Sequence, residues 1–307
     1  MTSTEPRHRL LLVLAVALCL AWQEAPTDSN EGDLGQPDLP AAGREVPRGE
    51  YKSPYSLKFS VAESELLFDR NEERGRVDQQ SSIPHDRWNS EEVRKRWGSW
   101  GPPARRFAMP ERVRDWPADR QRERVVATAA RYIGHDYQHH HIPDWDPPKD
   151  WPWKKCCTGH NGPGIDCSNF SSWNYNWALG IHMTSAIGAQ SKVTKVQQGE
   201  RELPAHRIER PAEGYKALCA ALRSGDLLYI TGKPGGDVTH VIMWVGACGV
   251  APDGSPLVID STGSGHKDSN GVAIPSGVRL RPFTEDSWYF KCFSHAHRLV
   301  PDSASSR

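Results

Sequence analysis

The chain has 307 residues, enough for one well-buried domain together with additional segments. Lysine plus arginine and aspartate plus glutamate each total 38, so no overall charge attracts the protein to nucleic acid or to a membrane surface. A mean hydropathy of −0.65 is polar for a globular protein, but the apolar residues are concentrated after about Val125. We therefore expect one folded domain after a long polar extension, and no nucleic-acid partner.

The N-terminus has the features of a secretory signal. Basic residues precede an apolar run from Leu10 to Ala21, which is shorter than the roughly 20 residues of a membrane span. We therefore predict an exported protein (periplasmic, cell-envelope or extracellular) that loses residues 1–21 and keeps no integral membrane span. Lipidation at Cys19 is the alternative, but Leu18 stands where a lipoprotein signal needs a small residue.

Composition divides the remaining chain into four further segments. Residues 22–84 are rich in Pro, Gly and charged side chains, which predicts a disordered or Pro-rich tether. Residues 85–117 form a short helical lead-in, with Ser90 as a helix cap. Residues 118–300 are the predicted catalytic domain, and residues 301–307 are a tail.

Within that domain, helical patterns come first and strand patterns follow. Helices are predicted from Arg122 to Ile133, from Asp166 to Gly180 and from Gly214 to Leu222. The predicted strands are residues 227–231, 240–246, 256–261, 278–281 and 293–299. Short turns between the strands favour antiparallel connections. This order predicts an α+β fold with a small antiparallel sheet.

Cys167 is the candidate nucleophile. It lies in the first turn of the helix that Asp166 caps, where unpaired backbone N–H groups favour a thiolate. The alternative is a buried or disulfide-bonded cysteine, since export permits disulfides. Six cysteines remain after signal removal, so a reduced nucleophile leaves an odd number that cannot all pair within the chain. Pairing stays open among Cys156, Cys157, Cys219, Cys248 and Cys292.

Three segments in chain order resemble the NlpC type of papain-like cell-wall cysteine peptidases. They are GIDCSNF around Cys167, SGDLLYI at Gly225 to Leu227, and THVIMWVG around His240. The resemblance extends from about Arg122 to Leu299. It implies a papain-like fold in which Cys167 is the nucleophile at a helix start and His240 is its general base.

The resemblance also implies a third polar residue on the next strand, which orients the histidine. Asp260 occupies that place and His266 is the reserve candidate; Asp260 could instead only cap the following turn. Tyr137 and Ser168 are the implied substrate-binding or oxyanion residues, with the backbone N–H of Cys167.

Three features depart from the family pattern. His139 to His141 replace a Trp-Gly-Gly sequence after Tyr137, Asn169 replaces a glycine, and an insertion runs from about Gln190 to Pro211. Because the loop after Tyr137 shapes the substrate pocket, the Cys-His chemistry is better supported than the choice of substrate.

What the resemblance implies is hydrolysis of an amide bond in peptidoglycan stem peptides, typically between D-glutamate and the diamino acid. The reaction passes through an acyl-thioester and needs no cofactor and no metal. An amidase or acyltransferase acting on another amide or lipid substrate is the alternative with the same fold, and a binding module is a further one. The sequence indicates no particular oligomeric state.

A different alternative is an exported metal-binding protein that uses the histidine-rich loop before Cys167. This loop holds many zinc or copper ligand types but has no clean metal-binding spacing. The candidate ligands are His135, His139, His140, His141, Asp144, Asp146, Cys156, Cys157 and His160.

The tryptophans support two interpretations. Trp173 and Trp177 are four residues apart on one helix and are predicted to lie in the core. Trp145, Trp151 and Trp153 precede Cys167 in the loop and could stack on sugar rings.

Overall fold

The computed structural model describes residues 51–152, 161–263 and 265–302. Its helices are α1 (Glu63–Leu66), α2 (Glu91–Trp97), α3 (Glu111–Arg114), α4 (Ala118–Ala130), α5 (Cys167–Leu179), α6 (Ile187–Gln190), α7 (Tyr215–Ala221) and α8 (Trp288–Lys291). Its strands are β1 (Ile181–His182), β2 (Lys195–Gln198), β3 (Arg201–Pro204), β4 (His206–Glu209), β5 (Leu227–Thr231), β6 (Val238–Trp244), β7 (Leu257–Thr262), β8 (His266–Lys267), β9 (Ala273–Ile274), β10 (Gly277–Pro282) and β11 (Phe293–Arg298).

The central sheet is antiparallel, with strand order β10-β7-β6-β5-β11-β4. Partners across these pairs include Ile230 with His240, Trp244 with Val258, and Arg281 with Val258. Because side chains alternate between the two faces of a strand, His240, Asp260 and Arg281 share one face. The register therefore places three functional-type side chains on adjacent strands of the same surface.

Each face of the sheet has its own core. On one face Val241, Met243 and Ile259 belong to the same cluster as Phe170 and Trp173 of α5. The opposite face packs on α7 and α8 through a second cluster, whose members include Leu218, Ile242, Trp244, Phe283 and Tyr289. Burying each large apolar side chain stabilises the fold by roughly 1.5–3 kcal/mol relative to exposure. These two cores hold α5 and α8 at fixed positions against the sheet.

The predicted α+β class is confirmed, with Cys167 as the first residue of a helix packed on an antiparallel sheet. Helix α5 begins after Asp166 and ends at Gly180, whose left-handed backbone (φ 63°, ψ 25°) terminates it. Helix α2 begins after Ser90, whose hydroxyl accepts the N–H of Val93. The strands lie within two residues of their predicted bounds, whereas α4 begins four residues before Arg122.

Residues 51–84 differ from the predicted disordered tether. Leu66 is fully buried in the main core, and the carboxylate of Asp69 pairs with both terminal nitrogens of Arg124, at 3.0 and 2.7 Å. Earlier in the segment, the Tyr55 hydroxyl accepts the backbone N–H of Ser269 at 2.8 Å. The segment is polar on average, but its few apolar residues and its buried ion pair fall where α4 can cover them. Composition averaged over the segment hides these contacts.

The insertion after α5 also forms structure that its polar sequence did not predict. Its strands β2 and β3 join β1, which directly follows α5, in a separate antiparallel sheet, and β4 adds an edge strand to the central sheet beside β11. Strand β4 reads His-Arg-Ile-Glu, with only one apolar residue. An edge strand with a solvated face has little hydrophobic signal, which is why it was missed.

Candidate active site

Cys167 is the first residue of α5, and the cap in front of it fixes its position. The Asp166 carboxylate accepts hydrogen bonds from the backbone N–H groups of Ser168 and Asn169, both at 3.1 Å. Cys167 itself is buried, with 5% of its surface exposed. The start of a helix carries a partial positive charge, which stabilises an anion placed there. The local structure therefore suits a negatively charged sulfur.

Asn169 replaces the glycine of the family pattern and strengthens this cap. Its side-chain amide donates to the second Asp166 oxygen at 2.6 Å. The Ser168 hydroxyl donates to the first oxygen at 3.0 Å. The Ser168 side chain thus serves the cap, and its part in binding substrate or oxyanion stays a prediction.

Gln190, at the end of α6, ties the insertion to the first turns of the nucleophile helix. Its buried side-chain amide donates to the carbonyl of Ser168 at 3.1 Å, to the hydroxyl of Ser172 at 2.9 Å and to the carbonyl of Thr184 at 2.8 Å. Sequence reasoning missed Gln190, because a lone glutamine in a polar insertion carries no motif. The insertion therefore borders the start of α5.

His240 on β6 lies between Cys167 and Asp260. Its Nε2 is 3.0 Å from Oδ2 of Asp260, and the ring also hydrogen-bonds to Cys167. Because Nε2 faces the carboxylate, Nδ1 is the nitrogen left for the sulfur. The structure thus brings together the three residues that the sequence singled out, in the order thiol, imidazole, carboxylate.

The surroundings of His240 favour its protonated form. Burial lowers its pKa, but the charge of Cys167 and the hydrogen bonds with Asp260 and Cys167 act more strongly, and together they raise the pKa to about 9. A positively charged imidazolium beside the Cys167 sulfur is therefore the form of His240 that this site stabilises at neutral pH.

Asp260 is fully buried and fully bonded. Besides His240, it accepts a hydrogen bond from the Arg281 guanidinium on Oδ1 at 3.0 Å and one from the Tyr289 hydroxyl on Oδ2 at 2.6 Å. Burial raises the pKa of Asp260, but the charges of Arg281 and His240 outweigh it and hold the pKa at about 2. The carboxylate is thus permanently charged and oriented through side-chain contacts, which goes beyond capping a turn.

The segment just before Cys167 is tied both to the Asp260 strand and to the Tyr137 loop. The Ser261 hydroxyl donates to the carbonyl of Ile165, and the Ile165 N–H donates to the carbonyl of Asp136 at 3.0 Å. Gly164 forms a parallel bridge with Asp136, where a Cβ atom would lie 2.6 Å from the Asp136 oxygen. This close approach explains the glycine two residues before the helix cap.

Tyr137 immediately follows this bridge and is buried, with 6% of its surface exposed. Its ring packs edge-on against His139, with 6.1 Å between ring centroids. The bridge places the Tyr137 loop beside the approach to Cys167. Its role in binding the substrate or the oxyanion stays a prediction.

His266, the reserve candidate, does not take the orienting place. Its ring stacks on Tyr289 with 4.4 Å between centroids, and its Nε2 has no hydrogen-bond partner within the described residues. Burial, followed by the charge of Arg281, lowers the pKa of His266 to about 3. His266 is therefore a neutral neighbour of the site, and Asp260 is the residue bonded to His240.

The histidine-rich loop is used mainly in packing. His139 and His141 both stack on Trp100, at centroid distances of 5.0 and 5.7 Å. His140 is fully buried edge-on against Trp145 at 4.6 Å, and burial lowers its pKa to about 3. The loop thus presents its rings to tryptophan.

The ligand types of the metal-binding alternative are dispersed where the structure describes them. His135 pairs with Asp144 at 2.7 Å. No group of three or more His, Cys, Asp or Glu that could hold a metal ion occurs within residues 51–152, 161–263 and 265–302. Cys156, Cys157 and His160 lie outside the described residues.

Two of the three loop tryptophans contradict the sugar-stacking prediction. Trp145 and Trp151 have 1% and 0% of their surface exposed, so the prediction is wrong for both: neither can offer a face to a sugar. Trp153 lies outside the described residues. Trp173 and Trp177 are in the core, as predicted.

Cys167, Cys219, Cys248 and Cys292 are free thiols in the structure. The other two cysteines of the pairing question, Cys156 and Cys157, lie outside the described residues. Within the part of the chain that the structure describes, no helix is both long and apolar enough to cross a membrane.

Comparison with known proteins agrees with the resemblance seen in the sequence. The model of the NlpC/P60 family matches residues 156–269, which include Cys167, His240 and Asp260. No curated protein matches the chain.

Two solved structures resemble the chain at low identity. One is an NlpC/P60 family protein from Bacillus cereus ATCC 10987, with 17% identity and a TM-score of 0.33 over 58% of this chain and 40% of that one. The other is the NlpC/p60 domain of peptidoglycan hydrolase SagA, with 19% identity and a TM-score of 0.30 over 57% of this chain and 95% of that one. The match thus spans less than half of the Bacillus cereus protein. The family match over residues 156–269 supports the predicted class, a cysteine-type peptidase or amidase.

Proposed function

We propose that the protein is an exported cysteine peptidase that hydrolyses an amide bond in peptidoglycan stem peptides, with Cys167, His240 and Asp260 as its catalytic residues. The observation that carries this proposal is the continuous chain of contacts from the Cys167 sulfur through His240 to the buried Asp260 carboxylate. The substrate class rests on the NlpC/P60 family match and not on any contact in the site.

The reaction begins from the thiolate–imidazolium pair. The Cys167 thiolate attacks the carbonyl carbon of the amide, and the negative charge that develops on the oxygen faces the backbone N–H of Cys167 at the start of α5. The Tyr137 hydroxyl is the proposed second donor. His240 then gives its proton to the leaving nitrogen, so that the C–N bond breaks and an acyl-thioester remains.

Hydrolysis of the thioester uses the same histidine in the opposite sense. Neutral His240 takes a proton from water, the resulting hydroxide attacks the thioester carbonyl, and the carboxylic acid product leaves as the Cys167 thiolate is restored. Asp260 keeps Nε2 protonated throughout, so Nδ1 faces the reacting atoms. The charge on Asp260 also stabilises the imidazolium at each end of the cycle.

The test is incubation of the full chain with muropeptides, beside its Cys167→Ala variant, with products followed by mass spectrometry. Cys248→Ala is the matched control, because Cys248 is a buried free thiol whose sulfur donates to the Ser224 hydroxyl at 3.6 Å. The proposal expects cleavage by the parent and by Cys248→Ala, and at least a thousandfold loss in Cys167→Ala.

Other outcomes separate the parts of the proposal. Cleavage that survives in Cys167→Ala would refute the nucleophile. No cleavage, while Cys167 still reacts with iodoacetamide, would refute the stem-peptide substrate. A new conjugate with an added amine or alcohol, instead of the water product, would assign acyl transfer.

Export is a separate part of the proposal and rests on the basic residues and the apolar run that end at Ala21. Expression of the full chain in a bacterial host, followed by fractionation and N-terminal sequencing, tests it. A processed protein outside the cytoplasm that begins near residue 22 is the expected result. An intact cytoplasmic chain would contradict export.

A further inference from the structure

Tyr289 contacts the Asp260 carboxylate, and the reaction described above does not use it. It lies in α8, a single helical turn. Ser287 caps this turn, and its hydroxyl accepts the Phe290 N–H at 3.3 Å. The residue is fully buried. Neither its sequence context nor the family resemblance assigns it a role.

The Tyr289 hydroxyl and the His240 ring meet on the same oxygen. The hydroxyl donates to Oδ2 of Asp260 at 2.6 Å, and His240 Nε2 lies 3.0 Å from that atom. Burial and the nearby Asp260 charge raise the pKa of Tyr289, so the hydroxyl keeps its proton and acts as a donor. An oxygen that accepts two hydrogen bonds shares its negative charge between them, and each donor weakens the other.

The ring of Tyr289 lies beside two histidine rings of the site. It lies nearly parallel to the His240 imidazole, at 12° and 6.3 Å between centroids, and nearly parallel to His266, at 10° and 4.4 Å. The guanidinium of Arg281 occupies the other Asp260 oxygen. With both oxygens hydrogen-bonded, the Asp260 carboxylate has little freedom to rotate, and the bond from Nε2 orients the imidazole.

We propose that Tyr289 is a positioning residue of the active site, which fixes the Asp260 carboxylate and limits how strongly that carboxylate stabilises the His240 imidazolium. The inference rests on the proposed function, because it concerns the pair formed by Cys167 and His240. It explains how the imidazolium can still release its proton to a leaving nitrogen while a fully buried carboxylate lies beside it. Without the second donor, Asp260 would stabilise the imidazolium more strongly, and Nδ1 would release its proton less readily.

The titratable and charged groups that surround His240 come from every element packed on it. They are Cys167 on α5, Asp260 on β7, His266 on β8, Arg281 on β10 and Tyr289 on α8. Since Tyr289 acts through Asp260, removing its hydroxyl changes the affinity of His240 for its proton but not the formation of the ion pair at acid pH. The acid and alkaline steps of the pH profile of Cys167 reactivity should therefore respond differently to the loss of the Tyr289 hydroxyl.

The experiment is the pH dependence of Cys167 alkylation by iodoacetamide from pH 4 to pH 11, measured on the full chain by mass spectrometry. It needs no peptide substrate. In Tyr289→Phe the ring stays and the hydroxyl is lost, so the alkaline step, where His240 loses its proton, should move up by roughly 0.5 to 1 pH unit. The acid step should stay where it is in the parent.

Tyr215→Phe is the matched control. Tyr215 is also an aromatic donor of the α7 and α8 side of the sheet, but its hydroxyl donates to the Phe283 carbonyl at 2.5 Å, away from Asp260. Loss of this hydroxyl should leave both steps unchanged. A second comparison uses Asp260→Asn, in which Tyr289→Phe should no longer shift the alkaline step, because the two side chains act through one oxygen.

Each outcome decides the matter. An alkaline step in Tyr289→Phe that coincides with the parent and with Tyr215→Phe overturns the inference and leaves the proposed function intact. A shift that persists in the Asp260→Asn background also overturns it. A parent that alkylates in one step, as an isolated thiol does, removes the ion pair and with it both proposals.

Replacement of Tyr289 by 3-fluorotyrosine gives an independent variant if Tyr289→Phe fails to fold. Fluorine makes the hydroxyl a stronger donor, so the alkaline step should move to lower pH. An unchanged or raised step would contradict the inference.

Discussion

His240 and His140 are both buried, yet their pKa values shift in opposite directions. His240 is 4% exposed and its pKa is raised to about 9; His140 is 0% exposed and its pKa is lowered to about 3. The same cost of burial acts on both rings. What differs is the set of partners.

Partners therefore decide the charge of a buried histidine in this molecule. His240 contacts Cys167 and Asp260, which together outweigh the loss of hydration. His140 packs on the indole of Trp145 with two more histidines beside it in the chain, and its hydrogen bond with the Gly164 backbone does not outweigh the cost of burial. One region is built for chemistry with charged groups and the other for packing with neutral ones.

The largest expected effect comes from making the His240 region resemble the His140 region. Asp260→Asn removes the carboxylate that holds Nε2 and supports the imidazolium. We expect kcat/KM for the Cys167-dependent reaction to fall by about 10² to 10⁴ and the alkaline limb of its pH profile to move to lower pH. Steady-state kinetics from pH 5 to pH 10 measure both. Asp253→Asn, in an exposed turn, is the control, and equal losses in the two variants would contradict the account.

The next test concerns the charge balance behind His240. Arg281 and Asp260 are both fully buried and bonded at 3.0 Å. Arg281→Met leaves the carboxylate without its main counter-charge, and we expect the free energy of unfolding to fall by about 3 to 5 kcal/mol. Urea unfolding measures it.

The double variant Asp260→Asn with Arg281→Met is the control for that loss. It removes both charges, so most of the stability should return while the activity does not. If the double variant were less stable than Arg281→Met alone, the loss would arise from packing and not from an unpaired charge.

The smallest effect is expected on the His140 side. The pKa of His140 is lower in the folded chain than in the unfolded one, so the unfolded chain binds more protons in acid. Its contribution is complete above about pH 6.5 and is lost as the pH falls towards 3. His140→Phe should therefore reduce the fall in unfolding free energy between pH 7.5 and pH 5 by roughly 1 to 2 kcal/mol.

Thermal and urea unfolding at the two pH values measure this difference. His85→Phe, at an exposed position, should leave the pH dependence as in the parent. A His140→Phe variant that loses stability in acid as steeply as the parent does would show that His140 is not held neutral.

The sequence predicted the parts of the site that have local signals. The glycine turn, the Asp166 cap and the apolar face of α5 identified Cys167, and the hydrophobic strands identified the region of His240 and Asp260. Arg281 could not be found in this way. It lies in Val-Arg-Leu-Arg-Pro, where an arginine on alternate positions is typical of a strand with one solvated face. Only the pairing of β10 with β7 brings it to Asp260.

In the histidine-rich loop and the N-terminal segment, local sequence features were misleading. Ligand-type residues suggested a metal site, but side chains near in sequence point to separate partners, and Trp100 and Trp145 take three of the rings. In residues 51–84, average composition indicated disorder, whereas Leu66 and Asp69 each find a buried partner on a distant element. Contacts between residues distant in sequence determined the structure of both segments. Neither composition nor residue spacing predicts such contacts.

The most direct test of the account is the titration of His240 itself by proton–nitrogen NMR of the imidazole rings, assigned with a His240→Gln variant. The account predicts that His240 keeps its proton up to about pH 9 in the parent, that its midpoint falls in Cys167→Ala, and that His140 stays neutral down to acid pH. A His240 ring that is already neutral at pH 7, or whose titration is the same without Cys167, would contradict the thiolate–imidazolium pair on which the mechanism depends.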